Sequence, residues 1–99
     1  MQKIKFENIK LYKADIVYVL MEMRFVYASH QKHIQVLECD KLIQILNNGE
    51  DEFTTEQLLC MKNILNDGAN YFLGVANRWE TGELSMNLMN KVCELFRHD

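Results

Sequence analysis

Proline is missing from this 99-residue chain, glycine occurs only four times, and cysteine three times. Without proline, internal repeats or a Ser/Gly-rich stretch there is nowhere to divide the chain, and a single domain spanning residues 1–99 is expected. The glycines stand singly, so no phosphate-cradling loop can be assembled from them. An odd number of widely spaced cysteines makes no disulfide framework; free thiols in a reducing cytoplasm are the expectation. Long apolar runs are absent too. The longest, Ile16 to Met21, is six residues, against the roughly 20 that cross a bilayer. Met1 to Lys13 alternates lysine with apolar residues and does not read as a secretory signal.

Positive charge is also scarce. Eleven Lys/Arg against fourteen Asp/Glu leave a net charge of -3, which argues against a life on nucleic acid, where a basic face supplies most non-specific affinity. What basic charge there is gathers at the start: the four lysines of Met1 to Lys13 accompany only Glu7, whereas the remainder carries seven basic and thirteen acidic residues. Residues 1–7 read as a short, extended, solvated basic arm or an edge strand, with Ile4 and Phe6 set against Lys3 and Lys5.

What is present is apolar content, 48% of residues, arranged with helical periodicity. From Ile9 to Ala28, Ile9, Tyr12, Ile16, Val19, Leu20, Met23, Val26 and Tyr27 fall on one broad face. Leu11, Ala14, Tyr18, Met21 and Phe25 fall on the opposite one. Lys10, Lys13 and Arg24 line one seam between these faces, and Asp15 and Glu22 the other. A second helix carries Val36, Cys39, Leu42, Ile43 and Leu46, with Ser29 as an acceptable N-cap near His30 and Asn47-Asn48-Gly49 as its stop.

The strongest local signal is Phe53-Thr54-Thr55-Glu56-Gln57-Leu58. Thr54 as N-cap and Gln57 at N3 form a capping box, and Phe53 and Leu58 a hydrophobic staple. The stripe that follows, Leu58, Met61, Leu65, Gly68, Phe72, Val75 and Trp79, keeps its phase through Gly68 and favours one long helix to about Glu80 over two helices kinked at Asn66-Asp67-Gly68. Thr81-Gly82 reads as a turn before a last helix, Glu83 to Arg97, whose Leu84, Leu88, Val92, Leu95, Met86, Met89, Cys93 and Phe96 span roughly 200°.

Chemistry is harder to find. His30 and His33 form an HxxH pair with Cys39 six residues on, a combination suited to zinc, but no CxxC or HExxH accompanies it. Cys39, Cys60 and Cys93 lie on or beside apolar stripes and read as buried hydrophobes rather than nucleophiles. Ser29 and Ser85 sit in no GxSxG turn, and an EF-hand register through Gly49 puts Gln44 and Leu46 where carboxylates are required. No catalytic residue, metal or cofactor is expected.

The segment Leu73-Gly74-Val75-Ala76-Asn77-Arg78-Trp79-Glu80-Thr81-Gly82-Glu83 resembles the end of a lambda-repressor-like, Xre-type helix-turn-helix, a family that implies operator binding by a helical dimer. Only Ala76 and Asn77 separate its Leu-Gly-Val turn from Arg78-Trp79, so the stretch that would read bases is missing and no residue role carries over.

These readings converge on an all-α fold, an antiparallel bundle of four to five helices. The expected function is that of a small cytoplasmic protein-binding regulator, inhibitor or adaptor, with a DNA-binding regulator and a metal protein or enzyme as alternatives. The asparagine- and lysine-rich composition suggests a bacterial or phage source. Two helices carry more apolar surface than a monomeric bundle buries, so a homodimer is expected. Its interface, or that with another protein, is sought among Leu11, Tyr18, Met21, Phe25, Tyr71, Met86, Met89 and Phe96.

Overall fold

A computed structural model describes residues 2–76 and 78–97. Among them the chain runs β1 (Lys3–Lys5), α1 (Ile9–Ser29), α2 (His33–Asn47), β2 (Glu52–Thr54), α3 (Thr55–Leu73) and α4 (Trp79–Leu95). The fold is all-α apart from one small antiparallel sheet, in which Ile4 stands opposite Phe53 and Lys5 opposite Glu52.

The N-terminal arm therefore takes the edge-strand alternative, paired with β2 while Lys3 and Lys5 stay exposed. Lys5 meets an acidic cross-strand neighbour, and the Phe6 amide donates to the Asp51 carbonyl at 2.7 Å. The Phe6 ring is buried edge-on to Phe53, 6.3 Å between centroids, and lies 6.0 Å from Tyr12. Such aromatic burial outweighs the freedom of a short lysine-bearing tail.

Helix α1 divides as its periodicity predicts. Ile9, Ile16, Val19, Leu20, Met23, Val26 and Tyr27 are buried, with Tyr12 half-buried. It ends later than expected, because Ser29 is not the N-cap of the next helix: its hydroxyl donates back to the Phe25 carbonyl at 2.9 Å. The turn is made by Gln31, at φ 58°. Its amide donates to Ala28 O and that of Lys32 to Tyr27 O, a Schellman closure with glutamine in the left-handed position usually held by glycine. At the end of α2 the same closure uses Gly49, at φ 80°, its amide donating to Leu46 O and that of Glu50 to Ile45 O.

The capping box forms as expected: Gln57 N donates to Thr54 Oγ1 at 3.1 Å, and Thr54 N to Gln57 Oε1 at 2.9 Å. Phe53 and Leu58, the staple pair, are both fully buried. Helix α3 passes through Gly68 unbroken. A Cβ there would stand 2.9 Å from Ser85 Oγ and 3.3 Å from Met23 Cγ, so the missing side chain lets three helices meet.

The long helix to Glu80 is not found. Helix α3 stops at Leu73 with Gly74 as C-cap, and α4 starts at Trp79 and runs straight through Thr81-Gly82, which is no turn. Gly82 packs on Leu73 so closely that a Cβ would lie 2.5 Å from Leu73 Cγ and 2.8 Å from its amide nitrogen. Ser85, also buried, donates its hydroxyl to the Leu65 carbonyl. Folding α4 back in this way buries Thr81, Gly82 and Ser85 together with Leu88, Val92 and Leu95, and leaves Val75 and Trp79 exposed.

Candidate protein interface

The outer stripe of α1 remains uncovered. Leu11 is 73% exposed and Phe25 74%, and Ala14, Tyr18 and Met21 between them are exposed as well. Helical spacing of three and four puts these five residues in one line along α1, on the side away from the core. Side chains of this size singly exposed are ordinary; a continuous row of them is not.

Ion pairs fix the two seams beside the row. On one, Arg24 Nε donates to Asp40 Oδ1 of α2 at 2.5 Å, and this hydrogen bond, with the carboxylate charge, raises the guanidinium pKa further above its ordinary range. On the other, Arg78 Nη1 meets Glu22 Oε2 at 3.2 Å, with the guanidinium carbon 5.9 Å from the centre of the Phe72 ring. Tyr18 shares a shallow depression with Ala76, Arg78, Trp79 and Thr81. The row is thus bordered by Trp79 on the α4 side and by α2 on the other.

Helix α2 also leaves apolar side chains uncovered. Ile34 and Leu37 are exposed, Leu37 lying on the side of α2 opposite buried Cys39 and Leu46. Both were legible as apolar residues off the core stripe. Of the remaining candidates, Tyr71 is exposed and edge-on to Phe72 at 5.0 Å and to His30 at 6.5 Å. Met86 is exposed on α4. Met89 and Phe96 are half-buried and pack on the core, so most of the broad apolar sector of α4 is absorbed within one chain.

The HxxH pair does not share a helix. His30 caps α1, with Nδ1 2.9 Å from Val26 O, whereas His33 opens α2 beyond the left-handed Gln31. Among the described residues no three His, Cys, Asp or Glu side chains are grouped to hold a metal ion; His98 lies outside them. Burial pushes the Cys39 thiol up to about 12, and burial and then the Glu38 carboxylate push Cys60 up to about 12. Both are protonated near neutrality and are poor nucleophiles. Cys60 opens on a trough of about 550 Å³ between α2 and α3, with Glu38, Lys41, Ile45 and Glu56 around it.

In the helix-turn-helix-like segment, the helix after the link is α4, whose Thr81 and Gly82 are buried from its first turn. Asn77 lies outside the described residues. No helix among the described residues is long and apolar enough to cross a membrane. Comparisons with protein families, curated proteins and solved structures find no match for this chain.

Proposed function

We propose that this chain is a protein-binding regulator, inhibitor or adaptor that works through the outer face of α1 and not by catalysis. The observation that carries this reading is the uncovered row Leu11, Ala14, Tyr18, Met21 and Phe25 on a helix whose other face packs into the core. Covering such a row releases water at about 25 cal/mol per Å² of apolar area, the term that drives most protein association. We read the scaffold beneath it as an antiparallel helical bundle. In support, Gly82 meets Leu73 and Ser85 meets Gly68 and Leu65, so partners rise along α4 as they fall along α3. The three free thiols suit a cytoplasmic setting. A second copy of the chain would cover the same row in a homodimer, in competition with any other protein partner.

The test is a pair of charge insertions, Leu11→Glu and Phe25→Glu. Both should retain helical circular dichroism and a thermal midpoint within a few degrees of the parent while losing association with protein. Collapse of the fold in both would show that the row is core, and the reading would fail.

A further inference from the structure

Resting on that reading of α1, we infer that the occupant of its outer face is a second copy of this chain, with the two α1 helices side by side and parallel. Residues 11, 14, 18, 21 and 25 are spaced alternately by three and four, the seam of a two-stranded coiled coil two heptads long. The exposed area is that of a small helix pair. Leu11, Tyr18, Met21 and Phe25 are 45–74% exposed. At about 150–250 Å² for a whole large side chain they offer roughly 500 Å², more than half of the ~800 Å² each partner gives a standard interface.

Charge decides the direction. Lys10, Val17 and Arg24 flank the row on one side, Asp15 and Glu22 on the other. Arg24 and Glu22 are held within the chain by Asp40 and Arg78, and neither Lys10 nor Asp15 takes part in an ion pair among the described residues. In a parallel pair each residue on the Lys10 flank faces the opposite flank of its mate five positions further on, so Lys10 meets Asp15 of the second copy, twice over by symmetry. Antiparallel pairing sets like flank against like: Lys10 beside Arg24, and Asp15 beside Glu22, whose carboxylate already has its partner. Parallel pairing brings together the two uncommitted opposite charges; the reverse separates them.

Cysteine cross-linking reads the direction. Parallel pairing puts both copies of residue 11 in one layer, within the ~6 Å between Cα atoms that a disulfide spans. Antiparallel pairing about Tyr18 holds them roughly 20 Å apart. Leu11→Cys and Phe25→Cys proteins are oxidised separately and as a mixture, with the parent as control for the native thiols. The expected result is a covalent dimer from each variant alone. Cross-linking only in the mixture would overturn the parallel arrangement. Sedimentation equilibrium showing monomer for the parent and both reduced variants would overturn the second copy as occupant, while leaving the α1 face open to a different protein. The fold collapse described above would instead remove the face itself.

Discussion

The Tyr27 hydroxyl donates a 2.7 Å hydrogen bond to Asp67 Oδ2, joining the last turns of α1 to the middle of α3. Tyr27 is buried, and burial first and the carboxylate second raise its pKa far above the ordinary phenol range. A neutral phenol donating to a carboxylate contributes about 1.5–3 kcal/mol, less here because Asp67 is exposed. Tyr27→Phe should therefore cost about 1–2 kcal/mol, a fall of several degrees in melting temperature. Asp67→Asn should cost less, and the pair should be non-additive in a double-mutant cycle.

Gln31→Gly should stabilise the protein. The left-handed conformation costs a side-chain-bearing residue about 1 kcal/mol, and glycine adopts it freely. Part of that gain is lost to the greater entropy of an unfolded glycine, leaving an expected net increase of roughly 0.5 kcal/mol in urea unfolding free energy. A decrease would mean that the Gln31 side chain makes a contact worth more than the strain.

Gly82→Ala should be among the most damaging single-atom additions in the chain. Its Cβ would collide with the Leu73 backbone as well as its side chain, so α4 has to shift, at a cost of about 1–3 kcal/mol. Gly68→Ala meets mainly side-chain atoms of Ser85, Met23 and Val19, which can move, and should cost less. Chemical denaturation of the two variants side by side checks the order.

Alkali should unfold the protein through its thiols. Burial pushes the Cys39 and Cys60 thiols up to about 12 in the folded chain, from the 9.0 of a free thiol. Both values are raised, so the stabilisation is complete below about pH 9 and is lost progressively as pH climbs toward 12, because the unfolded thiols ionise first. Tyr27 acts in the same direction at higher pH. Melting temperatures measured between about pH 8 and pH 11 should fall, and Cys60→Ala, at a half-buried position, should make the decline shallower.

Much of this architecture was legible because it is written in short-range pattern. The two faces of α1 follow from 100° per residue, and the Thr54–Gln57 capping box from four adjacent residues. The end of α3 was legible only in the Leu-Gly-Val turn of the repressor-like segment, against a stripe whose phase Val75 and Trp79 keep; α3 ends at Leu73 with Gly74 as C-cap, and α4 returns to set Gly82 on Leu73, a tertiary contact that periodicity does not carry. Gln31 hid the first interhelical turn because its side chain gives no left-handed signal. The outer row of α1 could be seen as a second apolar face, but one helix's periodicity does not say whether a neighbour covers it. That depended on how α2 and α4 are placed, which also exposes Ile34 and Leu37 and withdraws Met89 and Phe96 into the core.

The most direct test of the α1 face as a self-association surface is sedimentation equilibrium of the parent and Phe25→Glu at micromolar concentration, with circular dichroism on both. The expected result is twice the 11.7 kDa chain mass for the parent and the single-chain mass for a fully helical Phe25→Glu. A parent that sediments as a single chain, or a Phe25→Glu variant that still sediments as a dimer, would contradict it.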